Sequence, residues 1–471
     1  MDYSDNFSQS PDHFNELTHR FEEMVAKGDS SYYEVDDLEM LLDHYIVNHR
    51  LEMAFKVVEV AREQYPNTSQ LSIKEAELLS MTDKHQEALE LLKAIEMLEG
   101  FNPEYYLTKA SVLSHSGEYQ KAIVCLHKAL DCSESDIDVV YMNLAIEHQN
   151  LQQYAQAIEY LKKSLEINIL NEDALYEIAY CFELTKQYEE AVKYFLSFIN
   201  THPYSSHAWF NLGAMYQALN NYEKAAVAFD YVIIIDEEFH AAYFNKANVL
   251  VKLEQYGPAI ELYKKALAFE ILDSLIYFYI GDCYDHLEDY KNAHIFFEKS
   301  LRKDDTMAES WIGASNALDM LGRELEALEY AKKAIQLDPD NEDYWCYQAG
   351  LQQKYNLPVE SSISYEKGIE LGGQEAQMFE DYASLALSMK DEKLLHKILQ
   401  QGLELHTNNE LLRLYESIHY YLTGKEDIAF EKLVEVLIKN SSLINEFLIH
   451  FPQGMEFNEI QFLVESLQEK S

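Results

Sequence analysis

Residues 206–239 read SHAWFNLGAMYQALNNYEKAAVAFDYVIIIDEEF. The stretch holds two helical patterns, neither long enough to be stable alone. The first carries Trp209, Leu212, Gly213 and Tyr216; the second carries Tyr222, Ala225, Ala226, Phe229 and Val232. Asn220-Asn221 between them reads as a turn. Each half has one apolar stripe at i, i+3, i+4, i+7 spacing, so the stripes must be buried against each other and against neighbours. Gly213 and Ala225 decide the geometry. Small side chains facing each other let two helix axes come close, and larger residues on either side key into the gap.

The stretch recurs every 34 residues, with starts at 35, 69, 103, 138, 172, 206, 240, 274, 308, 342, 376 and 410 and one extra residue, Ile137. Position 20 is alanine in ten of twelve repeats, from Ala54 to Ala429; Ser361 and Leu395 depart. Position 8 is small in eleven, with Leu42 the exception, and position 17 is tyrosine in six successive repeats, Tyr119 to Tyr290. Pro66, Pro203 and Pro339 stand where one repeat hands over to the next, and Pro103 opens a repeat. Pro258 and Pro358 fall near the start of a second helix, where a missing N–H costs least. A helix-pair unit repeated in this way predicts an all-α array in which each unit packs on its neighbours.

Before the array, residues 1–10 are polar and expected to be mobile. Ser10-Pro11 reads as an N-cap followed by proline in the first helical position. Phe14, Leu17, Phe21, Met24 and Val25 then share one face of a helix stopping at Lys27-Gly28. After residue 443, Phe447, Leu448 and Phe451 lead to Pro452-Gln453-Gly454. A final helix carries Phe457, Ile460, Leu463, Val464 and Leu467 and is expected to shield the last apolar face. The boundaries are therefore 1–34 for tail and capping helix, 35–443 for twelve repeats, and 444–471 for a degenerate closing repeat. No linker or second domain is expected.

Bulk properties narrow the partners. The 471 residues are 48% hydrophobic and 25% charged, a globular composition, and 82 acidic against 37 basic residues give a net charge of −45. Such a surface repels phosphates, which disfavours nucleic acid and anionic membranes and favours basic or neutral protein segments. The same acidity also serves solubility alone. The five cysteines, Cys125, Cys132, Cys181, Cys283 and Cys346, include no CxxC pair and read as reduced, buried thiols suited to the cytoplasm. The N-terminus lacks the basic and apolar regions of a signal peptide. The longest apolar run, at 231–235, ends at Asp236, so no membrane insertion is expected.

Trp209, Leu212, Gly213, Tyr216, Ala225 and Phe229 resemble the tetratricopeptide repeat pattern, W-x2-L-G-x2-Y…A-x3-F…P. The resemblance covers about nine-tenths of the chain. It weakens at the ends, with Leu42 and Leu395 at small positions and Ser72 and Arg413 at the tryptophan position. It implies an α-solenoid superhelix of about twelve repeats, in which the first helix of each repeat lines a concave groove with positions 2, 5, 6 and 9.

Those positions supply the candidate peptide-binding residues. Position 5 is Tyr176, Phe210, Phe244 and Phe278 in four successive repeats; position 6 is Asn143, Asn211 and Asn245; Asn248 and Asp282 occupy position 9. Amides pair with the backbone of an extended peptide and rings bury its side chains. The alternative is structural: asparagine at position 6 closes the repeat and the rings pack along the groove wall. Glu177, Asp282, Asp285, Glu309, Asp319, Asp343 and Asp381 make the inner face acidic, and Lys74 is the one lysine or arginine at positions 2, 5, 6 or 9. Members of the family that clamp C-terminal carboxylates carry lysine and arginine there. Here Met142, Tyr176, His207 and Phe210 stand instead, which argues against that role. An acidic groove suits a basic or neutral segment.

Catalysis is not expected. The 17 histidines form no HExxH or HxH pair, and no GxSxG, P-loop or GxGxxG occurs. Neither cofactor nor metal is implied. The sequence thus reads as a non-catalytic scaffold binding a protein or peptide in its groove. The alternative is an assembly or regulatory subunit docking through its ends or convex face. Oligomeric state is left open.

Overall fold

The computed structural model describes residues 11–269 and 273–468. The expectations for residues 1–10, including the Ser10 cap, and for the Leu467 side chain lie outside the described residues. All regular elements among the described residues are helical. Two compact units divide the chain, Met1–Asp236 and Glu237–Ser471. The first has helix pairs opening at Val35, Ser69, Pro103, Ile137, Glu172 and Ser206; in the second they open at His240, Asp273, Ala308, Glu342, Ala376 and Glu410. The fold is an all-α solenoid of helix pairs. The division between units falls at the handover after helix Tyr222–Ile235, where the 34-residue register runs on unbroken and so carries no boundary signal.

Close approach within a pair is set by the small positions. A Cβ on Gly213 would come within 2.7 Å of the Phe229 ring, which is wholly buried. Two serines at these small positions are satisfied across the pair. Ser315, at position 8, donates its hydroxyl to the Ala327 carbonyl at position 20 (2.7 Å). In the next pair the roles reverse: Ser361, at position 20, donates to the Ala349 carbonyl at position 8 (2.8 Å). A buried hydroxyl is tolerated here because each finds an acceptor at once.

In five repeats position 4 ties the first helix to the loop before it. Trp209, Trp311 and Trp345 donate their indole N–H to the carbonyls of Pro203, Asp305 and Pro339, each at 2.9 Å. The Tyr106 hydroxyl does the same to Gly100 at 3.2 Å. Arg413, which departs from the family pattern by letter, donates Nε to the Thr407 carbonyl at 2.8 Å. The residue changed and the bond was kept.

The turn inside every pair has one conformation. Position 15 has positive φ in all twelve, at His49, Asp83, Gly117, Gln152, Lys186, Asn220, Glu254, Glu288, Gly322, Asn356, Lys390 and Gly424. The next residue's N–H returns to the carbonyl five positions back, as Asn221 does to Tyr216 at 2.8 Å. This is the Schellman termination, in which one left-handed residue closes the helix. Only three of the twelve are glycine.

Helices outside the pairs pack on the first and last of them. In the first unit Leu17, Phe21 and Met24 of helix Pro11–Lys27 are buried against Tyr33, Leu38, Leu41 and Tyr45. In the second, Phe447, Phe451 and Ile460 are buried beside Tyr421, with Phe457 partly buried on the same cluster.

Candidate functional site

In the first unit, helices Ile137–Asn150, Glu172–Leu184 and Ser206–Ala218 present their inward positions side by side. Tyr176 is 39% exposed and stands edge-on to His207 (5.3 Å) and Phe210 (6.4 Å). His207 in turn reaches Glu172 at 3.3 Å. Phe210 is half-buried against the Phe229 ring at 5.6 Å. Three exposed apolar side chains extend this strip: Val139 at position 2, and Ile146 and Tyr180 at position 9. They stand at inward positions 2 and 9, where their apolar character was the signal for them in the sequence.

The asparagines at position 6 separate. Asn211 is 3% exposed and donates Nδ2 to the Leu175 carbonyl of the preceding repeat at 3.1 Å. This bond joins two successive first helices, the contact that the structural alternative expects. Asn143 is half-buried in a cleft with Lys74 and Glu147.

In the second unit, Phe244 packs against Tyr263 and Tyr279, each at 5.8 Å, and Phe278 against Tyr279 (5.4 Å) and Phe297 (5.8 Å). Tyr263 and Tyr279 stack at 5.7 Å. Both phenylalanines are half-buried, so they serve as wall as well as surface. Asn245 donates to its own Ala241 carbonyl at 2.8 Å and stays at the surface, whereas Asn248 accepts from the buried Tyr263 hydroxyl at 2.5 Å. Asp282 is half-buried, with His286 at 3.9 Å.

The acidic inner face is partly compensated from within. Lys74 bridges Asp43 (2.9 Å) and Glu104 (3.3 Å). Gln149 donates to Glu177 at 2.7 Å, Asn316 to both oxygens of Asp285, and Lys354 to Asp319 at 2.7 Å. Burial nevertheless holds several carboxyls above the ordinary carboxylate range. Burial is the main cause for Asp282, opposed by His286 and Lys252, and for Asp381, opposed by a hydrogen bond from Gln377. A carboxyl whose folded pKa is raised binds more protons folded than unfolded between the two values. Its contribution is therefore unfavourable above the folded pKa and vanishes below the unfolded one. The variant combining Asp282→Asn and Asp381→Asn should melt above the parent at about pH 7.5, and the gap should close as pH falls through the raised folded pKa values to the ordinary carboxylate value of 3.8. Thermal melts across that range check this.

No group of three or more metal-ligating side chains is found among the described residues, and no helix among them is long and apolar enough to cross a membrane.

Two family models described as tetratricopeptide repeat match the chain, one at residues 173–205 and the other at 139–168, 206–237, 240–270, 275–304 and 308–341. No curated protein matches in sequence. Among solved structures, the APC/C hetero-tetramer Cut9-Hcn1 is 13% identical, covering 87% of this chain and 99% of that one with a TM-score of 0.41. Pseudomonas aeruginosa pilF is 20% identical over 45% and 96%, with a TM-score of 0.39. YrrB, described as a TPR protein with an unusual peptide-binding site, is 20% identical over 42% and 97%, with a TM-score of 0.34. At these scores the likeness carries no weight for function.

Proposed function

We propose, given that this chain belongs to the tetratricopeptide-repeat family of protein-interaction scaffolds, that it binds an extended protein segment along the inward positions of its first helices. One observation carries the reading: the solvent-facing strip of Val139, Ile146, Tyr176 and Tyr180 beside Phe210, where a helix face with no partner would be polar. Rings and aliphatic groups of the first unit take the partner's side chains, and Asn143 of the same unit meets its backbone. A net charge of −45 favours a basic or neutral segment over a polyanion.

Changing Tyr176→Ser and Tyr180→Ser together should cut capture of the partner from native extract at least about tenfold, since aromatic anchors dominate such surfaces. Both side chains are exposed, so the helical signal should be unchanged. Affinity capture with mass spectrometry reads the result, and undiminished capture sinks the groove reading. A second reading, docking through an edge, is favoured by Met97, Leu98 and Phe101, which are 99%, 74% and 92% exposed in the loop before helix Pro103–His115. Cross-links concentrated at that loop, with capture intact in the double variant, would select it.

A further inference from the structure

Beside the aromatic strip, and sharing Ile146 with it, three consecutive first helices of the first unit line a cleft of about 440 Å³. They are Ser69–Met81, Pro103–His115 and Ile137–Asn150. The middle helix supplies a low floor of Thr108, Ser111 and Ser114, because its inward side chains are small. One wall carries Lys74 and Glu77, and the other Asn143, Ile146 and Glu147, with Glu104 at the mouth.

The charges in this cleft do not balance. Lys74 is occupied by Asp43 and Glu104. Glu77 and Glu147 make no ion pair among the described residues. Glu147 is the telling group. It is only 5% exposed, it lines the cleft, and its Oε2 has no hydrogen-bond partner. A carboxylate left this way in a fold costs stability unless something arrives to meet it. Glu39, on helix Val35–Val47 alongside, has a second buried carboxylate oxygen without a partner.

We propose that this cleft is a receptor for one basic side chain, an arginine or lysine, projected by the protein segment that the scaffold binds. The guanidinium is the better fit, because its planar fork offers several N–H donors to Glu77, Glu147 and the floor hydroxyls at once. The cleft lies within the range of volumes that hold small ligands, about 300–1,000 Å³. Burial holds the Glu147 carboxyl above its ordinary range, against hydrogen bonds from Ser114 and Asn150, and burial does the same for Glu77 against Lys74. An entering cation reverses both shifts by restoring the ionised form. The inference rests on the inner face being the partner surface, and it adds which residue the partner must bring.

The test uses the full chain and two capped tripeptides, Gly-Arg-Gly and Gly-citrulline-Gly, followed by isothermal titration. Citrulline keeps the shape of arginine and removes its charge. The arginine peptide should bind at least about tenfold more tightly than its counterpart, as expected for a charge-assisted contact. Glu147→Gln should remove at least about tenfold of that affinity, and Glu77→Gln should weaken it in the same direction. Glu147→Gln should also melt higher than the parent without peptide, because a buried carboxylate with no cation beside it is gone. The Tyr176→Ser, Tyr180→Ser variant should bind the arginine peptide as the parent does, which separates failure of this cleft from failure of the aromatic strip. Equal binding of the two peptides, or parent-like affinity in both glutamine variants, overturns the proposal.

Discussion

Replacing Phe297 with alanine should destabilise the unit Glu237–Ser471 by about 3–5 kcal/mol. Its ring is 2% exposed and occupies a space that two glycines keep open. A Cβ on Gly281, in the same helix pair, would lie 2.8 Å from the ring, and one on Gly313, in the next pair, 2.5 Å. Phe297 therefore joins two repeats, and its loss leaves a cavity that neither backbone can close. Gly313→Ala alone should cost about 1–3 kcal/mol, since the added methyl overpacks the ring. The two changes should not add. Once the ring is gone the methyl has room, so the double variant should be no less stable than Phe297→Ala alone. Denaturant unfolding of the four proteins measures the coupling, and additive costs would refute the packing account. Loss of hydrogen-exchange protection should centre on the repeats around Phe297, because stability in such arrays is local.

The opposite effect, of similar size, is expected at the turns. His49, Asp83, Gln152, Lys186, Glu254, Glu288 and Lys390 all hold a left-handed backbone and are exposed. For an L-residue other than glycine that conformation costs about 1–2 kcal/mol. Glycine removes the cost but raises the entropy lost on folding by about 0.5–1 kcal/mol. Each change to glycine should then gain about 0.5–1 kcal/mol, and all seven together about 3.5–7 kcal/mol, because separated sites in a repeat array sum. Thermal and denaturant unfolding of the sevenfold variant check this. Neutral single variants would mean that the native side chains already offset the strain locally.

The helix pairs were legible because close packing leaves no freedom at positions 8 and 20. Gly213 and Ala225 record a contact distance, and size there must repeat. The turn was legible only at Asn220 and its few counterparts. At Lys186 or Glu254 the left-handed conformation is imposed by the helices on either side, and the residue itself gives no sign of it. The candidate surface was half legible. Helical spacing placed Tyr176 and Phe210 on one face, but the same spacing could not tell Asn211, turned into the neighbouring helix, from Asn245, left at the surface. That difference depends on which carbonyl lies opposite, a property of the pair of helices and not of the residue. The charge pattern gave the acidic residues of the inner face without their internal partners, so the imbalance at Glu147 emerged only from three helices together.

The tether at position 4 bears on how such chains diverge. Arginine differs from tryptophan and tyrosine in charge and shape, yet Trp209, Tyr106 and Arg413 each deliver a donor to the carbonyl six residues earlier. Where the tether forms, reach and donor capacity define the position, so a comparison by side-chain similarity scores the arginine as decay although it makes the same bond. Tyr106 and Arg413 both lie outside the segments that family models match, 139–341 at their widest span. A repeat described by its donor and acceptor positions would be followed further toward both ends of the chain than one described by its alphabet.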